Sequence, residues 1–209
     1  MTAMHHPDPT SPVFWQDTSI SKAQRSLRLG QKPMVLWLTG LSGAGKTSIA
    51  NAVEDQLHSL GRATYLLDGD NIRHGLCSDL GFSPEDRVEN IRRIGEVARI
   101  LVDAGLIVMA SFISPSDAQR QMVRRRFDAG EFHEVYISTP LDVCEQRDPK
   151  GLYKLARSGK LAQFTGISAA YEPPCAPELT IGTCDRPVAD CAQELVDYVM
   201  ARQGGCQNL

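Results

Sequence analysis

A glycine-rich turn limits what this chain can fold into more than any other feature of its sequence. The turn, GLSGAGKT at positions 40–47, matches the pattern GxxxxGK[ST] and is separated from the apolar run MVLWL only by Thr39. The next run, SIANAVEDQLHSLG, is typical of a helix. A strand, turn and helix of this kind form a P-loop, in which backbone N–H groups converge on a phosphate and the helix N-terminus adds partial positive charge. The sequence therefore predicts an α/β fold that binds a phosphorylated ligand.

The P-loop pattern also assigns roles to single residues. Lys46 is expected to reach the β- and γ-phosphates of a nucleotide, and the hydroxyl of Thr47 is expected to bind Mg²⁺. The complete set of predicted nucleotide contacts in the loop is Gly40, Ser42, Gly43, Ala44, Gly45, Lys46, Thr47 and Ser48. Because GTPases, motor ATPases and small-molecule kinases share this phosphate cradle, the loop alone does not choose among them.

The rest of the chain alternates short apolar runs with longer periodic stretches, a pattern typical of parallel strands joined by helical crossovers. Strands are predicted at 35–39, 63–67, 106–112, 134–138 and 179–181. Near-continuous apolar strands indicate a sheet covered on both faces, so we expect a P-loop NTPase-type, doubly wound parallel sheet flanked by helices. The kinase-sized domain is predicted at 33–203, between a loose N-terminal arm at 1–32 and a tail at 204–209.

One long helix is predicted between the second and third strands. Ser83 is its expected N-cap, Pro84 takes the first helical position, and Asp86 completes a capping-box pattern. Gly105 is expected to end the helix in a left-handed conformation. Apolar residues recur at helical spacing along it and leave Arg87 off the core-facing stripe.

Composition and charge exclude several classes of protein. A net charge of -3 over 209 residues gives no general attraction to polyanions, which argues against a nucleic-acid polymer as partner. No apolar run approaches the roughly 20 residues of a membrane span, and the first residues lack an apolar signal core, so we expect a cytoplasmic protein without a membrane partner. The six cysteines contain no CxxC pair, so reduced thiols are expected.

Two carboxylates follow the second predicted strand. Asp68 and Asp70 stand in LDGDNIR, with Arg73 directly behind them, at the strand edge where open α/β sheets bind ligands. One carboxylate can orient or deprotonate an attacking hydroxyl while helping to hold Mg²⁺, and phosphoryl transfer needs little more than such positioning. Because the chain contains no guanine-reading NKxD stretch, a compact kinase is the favoured class.

Basic residues after the fourth predicted strand indicate a lid. Arg147 and Lys150 stand in CEQRDPKGLYKLARSG, within a segment at about 145–174 that we expect to close over the nucleotide. Small P-loop kinases use such closure to exclude water, so that transfer to an alcohol outcompetes hydrolysis. The three arginines at 124–126 lie in a helical run and are expected to form a solvated face.

Six longer motifs, taken together, indicate the function more specifically than the spacing of single residues does. These motifs are GLSGAGKTS, LDGDNIRHGL, GFSPEDRVENIRRIGEVARIL, SFISP, PLDVCEQRDPKGLYKLARSGK and FTGISAAYEPP. Together they closely resemble the adenylyl-sulfate kinase family over nearly everything from residue 19 to residue 199. The resemblance implies transfer of the γ-phosphate of ATP to the 3′-hydroxyl of adenosine 5′-phosphosulfate, which gives 3′-phosphoadenylyl sulfate and ADP in sulfate assimilation. It also implies a homodimer, and the lack of a following sulfurylase domain suggests the stand-alone form.

The same resemblance implies roles in acceptor binding. The residues concerned are Asp70, Arg73, Phe82, Arg87, Asn90, Ile113, Ser114, Lys150 and Phe164. Phe82 and Phe164 resemble the two aromatic residues that hold the adenine of the acceptor between them. Arg87 and Asn90 resemble residues that bind the phosphosulfate group and neighbouring atoms. On the donor side, Arg147 resembles the residue packed against the adenine of ATP.

The resemblance also points to the catalytic residues. Lys46 resembles the phosphate-binding lysine of the family. Asp68 resembles the residue that acts as the base or positions the metal ion, and Asp70 stands beside it in the same motif. Ser114 corresponds to a serine treated in this family as a phosphorylated intermediate. Direct in-line transfer explains the chemistry without a covalent enzyme, so we keep Ser114 as a site residue and do not assign it the covalent step.

One stretch departs from the family pattern. After SFISP the family usually has an aromatic residue or His followed by Arg, whereas here Ser116 and Asp117 follow. A positive charge near the acceptor is therefore missing, and Arg120 stands nearby and could compensate for it. Two alternatives stay open at this point. One is another small P-loop kinase acting on a nucleotide or small alcohol, and the other is a catalytically decayed ATP-binding module.

Overall fold

The structure is a computed structural model that describes residue 14 and residues 16–204. The predicted tail from residue 205 onward and the predicted arm before residue 14, together with residue 15, lie outside the described residues. Within the described part of the chain, no helix combines the length and apolar character needed to cross a membrane. The cysteines of that part are all free thiols, as expected: Cys77, Cys144, Cys175, Cys184 and Cys191.

A parallel sheet of five strands forms the centre of the fold. The strands are β1 Met34–Thr39, β2 Thr64–Asp68, β3 Ile107–Ser111, β4 Phe132–Ile137 and β5 Leu179–Ile181. They lie in the order β2-β3-β1-β4-β5, and every neighbouring pair is parallel. All five predicted strands are confirmed, with some ends displaced by one or two residues. Because β1 is the middle strand, the turn that follows it lies at the centre of the carboxyl edge.

Helices cover both faces of the sheet. They are α1 Lys22–Leu29, α2 Lys46–Ser59, α3 Gly69–Arg73, α4 Pro84–Asp103, α5 Asp117–Arg124, α6 Leu141–Arg147, α7 Leu152–Arg157 and α8 Val188–Gln203. One buried cluster joins the sheet to α2 and α8, and a second joins it to α4 and α5. The predicted doubly wound architecture is therefore confirmed.

Side chains of β1 contribute alternately to the two buried clusters. Leu36 and Leu38 pack with α2 and α8, whereas Val35 and Trp37 pack with α4 and α5. Successive residues of a strand point to opposite faces, so a strand covered on both sides needs apolar residues without interruption. Each such side chain stabilises the fold by about 1.5–3 kcal/mol on burial. This explains why MVLWL contains no polar residue.

The long predicted helix is confirmed as α4. Ser83 caps it, since its hydroxyl accepts a hydrogen bond from the backbone N–H of Asp86 at 3.1 Å. The other half of the predicted capping box is wrong, because the Asp86 carboxylate accepts from the N–H of Gly81 at 3.0 Å instead. Gly105 follows the helix with φ +97°, the left-handed conformation that the sequence predicted.

The segment before β1 differs from the loose arm predicted for it. Residues 22–29 form α1, which begins at a capping box between Ser21 and Gln24. Arg25 forms an ion pair with Asp103 at 2.5 Å, and the buried side chain of Gln31 donates to the backbone carbonyls of Ala63 and Gly105. These contacts attach the last part of the predicted arm to the starts of β2 and β3. The amphipathic pattern of KAQRSLRL was the signal for this helix.

Candidate active site

The glycine-rich turn joins β1 to α2 with a backbone that needs glycine. Gly40 and Gly43 have φ of +151° and +75°. A Cβ atom on Gly40 would lie 2.7 Å from the carbonyl oxygen of Ile137, and one on Gly43 would lie 2.9 Å from that of Cys144. Both positions are therefore closed to any side chain by backbone that cannot move aside. The turn packs directly against the end of β4 and against α6.

Lys46 begins α2 and its ammonium group stays inside the turn. Nζ donates hydrogen bonds to the carbonyl oxygens of Gly40 at 2.9 Å and Leu41 at 2.8 Å. Burial lowers the pKa of Lys46 to about 8, because desolvation penalises the charged form. The lysine is thus held over the loop whose N–H groups would surround a phosphate.

Thr47 and Asp68 bring the turn and the second strand together. Oγ1 of Thr47 donates to Oδ2 of Asp68 at 2.8 Å and lies 3.3 Å from Oγ of Ser111. Oδ1 of Asp68 caps α3 by accepting from the backbone N–H groups of Asp70 at 3.0 Å and Asn71 at 3.4 Å. The carboxylate is therefore fixed through both of its oxygens.

The oxygen atoms of Thr47 and Asp68 are suitable ligands for a Mg²⁺ ion. Both groups offer oxygen, the ligand that Mg²⁺ prefers, and Mg²⁺ in kinases is usually held by one or two protein oxygens together with substrate phosphates. No cluster of three or more His, Cys, Asp or Glu residues suited to a metal occurs in the described part of the chain. A metal at this point would therefore depend on the nucleotide for most of its ligands.

The predicted lid contacts the turn that follows β2. The ammonium group of Lys150 forms an ion pair with the carboxylate of Asp70, and both side chains are more than half exposed. Gly166, further along the lid segment, lies against Leu41, since a Cβ atom on it would be 3.1 Å from Cδ2 of that leucine. The lid segment thus reaches both the Asp70 turn and the P-loop.

Two of the predicted acceptor residues stack on each other at the C-terminal end of α3. The guanidinium group of Arg73 lies over the ring of Phe82, 4.3 Å from its centroid. The same arginine donates to the carbonyl oxygens of Leu80 and Gly81. Phe82 remains 64% exposed, so a large part of its ring is available to a planar ligand.

Arg87 connects this region to the segment that contains Phe164. Its guanidinium group donates to the carbonyl oxygens of Phe82 and Gln163 and to the hydroxyl of Thr165. Burial, and to a smaller extent the nearby Arg73, lowers the pKa of Arg87. Phe164 is buried edge-on against Tyr153, with ring centroids 5.0 Å apart. The two predicted adenine-binding aromatics therefore lie on segments that one arginine holds together.

Asn90 follows Arg87 by three residues and lies on the same side of α4. Its side chain is only 6% exposed, and no partner for its Oδ1 atom is found among the residues that the structure describes. A buried polar atom without a partner costs free energy unless a ligand or water satisfies it. The amide is therefore suited to meet a donor on a bound acceptor.

The structure does not bring the Ser114 hydroxyl together with Lys46 and Asp68. Oγ of Ser114 is buried and accepts a hydrogen bond of 3.1 Å from the indole N–H of Trp37. The backbone of Ser114 has φ +38°, and the preceding carbonyl of Ile113 accepts from the hydroxyl of Thr39 at 2.7 Å. This geometry argues against the predicted catalytic role of the hydroxyl. The backbone at Ile113 and Ser114 stays at the predicted place, after β3.

The compensation predicted for Arg120 is wrong. Arg120 is completely buried, and its guanidinium group pairs with Glu134 at 2.6 Å. It also donates to the backbone carbonyls of Ser114 and Glu172, both at 2.8 Å. Its donors are directed at the protein itself, so it does not replace the charge missing at Ser116 and Asp117.

Arg147 lies on the other side of the P-loop, at the end of α6. Nη1 donates to the hydroxyl of Thr183 at 3.0 Å and Nη2 donates to its carbonyl at 2.8 Å. The residue lines a surface cleft together with Val143, Gln146, Cys184 and Asp185. Because a guanidinium plane stacks on aromatic rings, this cleft suits a nucleobase next to the phosphate cradle.

A pair of threonines that sequence reasoning missed connects Arg147 to the P-loop. The hydroxyls of Thr139 and Thr183 lie 2.6 Å apart, and Thr139 donates to the carbonyl of Ala44 at 3.0 Å. The hydroxyl of Thr183 accepts from Arg147 and also lies 3.3 Å from the carbonyl of Ala44, so either threonine can be the donor in the contact between the two hydroxyls. The arginine thus reaches the P-loop backbone through two buried hydroxyls. The sequence contained one signal for this pair, namely a threonine two residues after the end of β4 and another two residues after the end of β5, at the carboxyl edge.

Known sequences similar to this chain are adenylyl-sulfate kinases. The family profile described as adenylylsulphate kinase matches residues 32–182. The adenylyl-sulfate kinase of Marinobacter nauticus is 55% identical over 193 residues, which cover 92% of this chain and 97% of that protein. The profile match contains the site residues described above except Thr183, Cys184 and Asp185, which follow its last matched residue.

Solved structures of APS kinases are also similar to this chain. The APS kinase CysC of Mycobacterium tuberculosis, solved in complex with AMPPNP and APS, has a TM-score of 0.78 at 47% identity and covers 81% of this chain and 99% of its own. A hexameric APS kinase from Thiobacillus denitrificans has a TM-score of 0.63 at 30% identity and covers 86% of this chain but 30% of its own. The fold is therefore shared with kinases of this kind.

Proposed function

The chain belongs to the adenylyl-sulfate kinase family, and we propose that it transfers the γ-phosphoryl group of ATP to the 3′-hydroxyl of adenosine 5′-phosphosulfate. The products are 3′-phosphoadenylyl sulfate and ADP, and the reaction activates sulfate for assimilation. The observation that carries the proposal is the hydrogen bond from Thr47 to Asp68, which joins the phosphate cradle to a carboxylate at the acceptor edge. A family match of 55% identity over 92% of the chain supports the choice of acceptor.

The donor side is built from the P-loop and the Arg147 cleft. The N–H groups of residues 40–48 surround the phosphates, and Lys46 turns from the carbonyls of Gly40 and Leu41 to the β- and γ-phosphates. Arg147, held by Thr183, packs against the adenine. Such positioning and charge neutralisation are most of what phosphoryl transfer requires.

The chemical step needs an oriented acceptor hydroxyl and a place for its proton. The acceptor oxygen forms its bond to the γ-phosphorus as the bond from that phosphorus to the β,γ-bridging oxygen breaks, and ADP leaves. Asp68 takes the proton, since its carboxylate is fixed beside the P-loop by Thr47 and by the cap of α3. Mg²⁺ held by Thr47 and Asp68 supplies charge neutralisation on the phosphates when it is bound.

The acceptor side extends over α3, the start of α4 and the lid. Phe82 and Phe164 hold the adenine between them, while Arg73 leaves the face of Phe82 to bind the anionic part of the acceptor. Arg87 contributes a second positive charge, and Asn90 contributes the unpartnered Oδ1 atom. Lys150 in the lid segment pairs with Asp70 in the turn after β2, and both lie at the carboxyl edge of the sheet.

Closure of the segment at about 145–174 completes the site. This segment contacts Asp70, Arg87 and the P-loop. These contacts support a lid that covers the reacting atoms when it is closed. Exclusion of water by such a lid favours the alcohol over hydrolysis. We further propose that the protein acts in the cytoplasm and as a homodimer, and sedimentation of the full chain at micromolar concentration tests the dimer.

The test of the function is ADP release from ATP and Mg²⁺ with different acceptors. Adenosine 5′-phosphosulfate is compared with AMP, adenosine and shikimate, and the position of the new phosphate is determined by nuclear magnetic resonance. Stimulation by the sulfated nucleotide alone, with a 3′-phosphorylated product, is the expected result. Stimulation by another alcohol would overturn the substrate, and ATP binding without stimulation by any acceptor would overturn the catalytic assignment.

A further inference from the structure

A completely buried arginine connects two loops at the acceptor side of the site. Arg120 and its partner Glu134 are 0% and 2% exposed, and Nε of the arginine donates to Oε1 of the glutamate at 2.6 Å. Removing two charges from water is costly, and a buried ion pair adds little to stability compared with apolar residues of the same volume. Stability alone therefore does not account for an arginine at this position.

The other donors of Arg120 identify what the pair holds. Nη1 donates to the carbonyl of Ser114 in the loop after β3, and Nη2 donates to the carbonyl of Glu172 near the end of the lid segment, both at 2.8 Å. Nη2 also lies 3.4 Å from Oδ1 of Asp117. A planar guanidinium group offers donors in fixed directions, so it sets the distance between the two carbonyls.

The two loops also bond to each other beside the arginine. The N–H of Glu172 donates to the carbonyl of Pro115 at 2.8 Å, and the N–H of Asp117 donates to Oε2 of Glu172 at 2.7 Å. Tyr171 lies 3.0 Å from the hydroxyl of Thr39. The end of the lid segment is therefore attached to the loop at 113–117 through side chains and backbone.

The loop that Arg120 holds has a backbone conformation that needs such support. Ser114 has φ +38°, in a region that costs a residue with a side chain about 1–3 kcal/mol. Its carbonyl is fixed by Arg120 and its hydroxyl by Trp37. Without these contacts the loop would relax to a commoner conformation, and the neighbouring backbone of Ile113 would move with it.

We infer that Arg120, paired with Glu134, is a positioning residue for acceptor binding in the reaction proposed above, on which this inference rests. It fixes the backbone at Ile113 and Ser114 and the end of the lid in one arrangement. None of its hydrogen bonds in the described part of the chain reaches the P-loop, Arg147 or Thr183. Its loss therefore weakens the binding of the acceptor and leaves the binding of ATP unchanged.

The test compares Arg120→Lys with Arg124→Lys in steady-state kinetics. Lysine keeps the charge beside Glu134 but cannot hold two carbonyls in fixed directions. We expect the KM for adenosine 5′-phosphosulfate to rise by about tenfold in Arg120→Lys, with the KM for ATP changed by less than about twofold, as for the loss of one charge-assisted hydrogen bond. Arg124 pairs with the other oxygen of Glu134 and with Glu178 at the surface, so its variant controls for a lost arginine on the same helix.

A second variant keeps the inference testable if Arg120→Lys fails to fold. Glu172→Ala removes the carboxylate that accepts from Asp117 and leaves the buried pair intact. It is expected to raise the KM for the acceptor by about threefold, without affecting that for ATP, because the hydrogen bond that it removes lies at the surface, where water competes for both groups. A folded variant that raises both KM values equally, or neither, would overturn the inference while the wild type still shows acceptor-stimulated ADP release. Lack of stimulation in the wild type would overturn the proposed function and this inference with it.

Discussion

The hydroxyl of Thr47 lies 2.8 Å from Oδ2 of Asp68, although β1 and β2 are separated in the sheet by β3. The contact crosses above Ser111, which ends β3 and pairs in register with Asp68 on one side and Leu38 on the other. Parallel strands place their carboxyl ends at one edge, so the turns after β1 and β2 can meet over the strand between them. The phosphate cradle and the candidate base are therefore positioned by the sheet itself.

Asp68→Asn is expected to reduce turnover by about 10²- to 10⁴-fold, the range for loss of a general base. Asparagine retains one oxygen for the cap of α3, and its amide nitrogen can donate to the Thr47 hydroxyl, so the fold should be kept. It cannot take a proton from the acceptor hydroxyl at neutral pH. The measurement is kcat with both substrates saturating, together with the melting temperature.

Asp68→Ala serves as the comparison for this prediction. It also removes the cap of α3, which accepts from the N–H groups of Asp70 and Asn71, and an N-cap contributes about 1 kcal/mol. The alanine variant should therefore be both inactive and less stable. Near-normal kcat in Asp68→Asn would assign the proton transfer to another group, with Asp70 the next candidate.

The affinity for ATP is expected to fall as the pH rises above about 8. Burial lowers the pKa of Lys46 to about 8 in the free protein, and bound phosphates raise it. Below this pH the lysine is already charged and binding takes up no proton. Above it, each molecule of ATP that binds requires a protonation, so the affinity decreases by up to about tenfold per pH unit until the pKa of the complex is reached.

Calorimetry in two buffers of different ionisation enthalpy measures this proton uptake directly. Lys46→Met is the control, because it should bind ATP more weakly and with little dependence on pH in the same range. Uptake of a proton by the methionine variant equal to that of the wild type would show that another group is titrating.

Lys46→Ala is expected to abolish phosphoryl transfer while the fold stays intact.

Thr183→Val is expected to raise the KM for ATP by about five- to tenfold, as for one or two neutral hydrogen bonds lost in a buried network. Valine has the shape of threonine but cannot accept a hydrogen bond from Arg147 or form one with Thr139. Steady-state kinetics with varied ATP measure the effect. Thr183→Ser should restore the hydroxyl and most of the affinity, and a rise in the acceptor KM alone would contradict the proposed link between Arg147 and the P-loop.

The parts of the site predicted from sequence are those encoded by local backbone geometry. Gly40 and Gly43 are required because the backbone of β4 and α6 lies too close to them to leave room for a Cβ atom, and the P-loop pattern expresses that requirement directly. Similarly, Ser83 caps α4 through a contact three residues away. Local rules of this kind can be applied before the tertiary structure is known.

The parts that were missed depend on contacts between distant segments. Thr183 meets Ala44 across 139 positions, and Trp37 meets Ser114 across 77. The sequence shows a serine after β3, but it does not show that an indole N–H would bind the hydroxyl from the other side. For the same reason Arg120 was assigned to the acceptor, because nothing in its neighbourhood in sequence identifies Glu134 as its partner.

The stability of the protein is expected to fall as the pH decreases below about 6.5, the ordinary pKa of histidine. His133 on β4 is buried, with Nδ1 at 2.9 Å from the hydroxyl of Tyr198 and Nε2 at 3.0 Å from the carbonyl of Gly130. Burial lowers the pKa of His133, opposed by the hydrogen bond to Gly130. The folded state therefore binds the proton less tightly than the unfolded state, so the stability is fully present above the unfolded pKa and is lost as the pH falls through the folded one.

Urea unfolding of His133→Gln between about pH 5 and pH 8 isolates this contribution from the general effects of acid. The variant should be less stable than the wild type at the higher pH, because it loses the ring that packs on Tyr198. The difference should shrink as the pH falls, since only the wild type pays for protonation of a buried imidazole. A constant difference for His133→Gln would show that the imidazole stays neutral throughout or has the same pKa in both states.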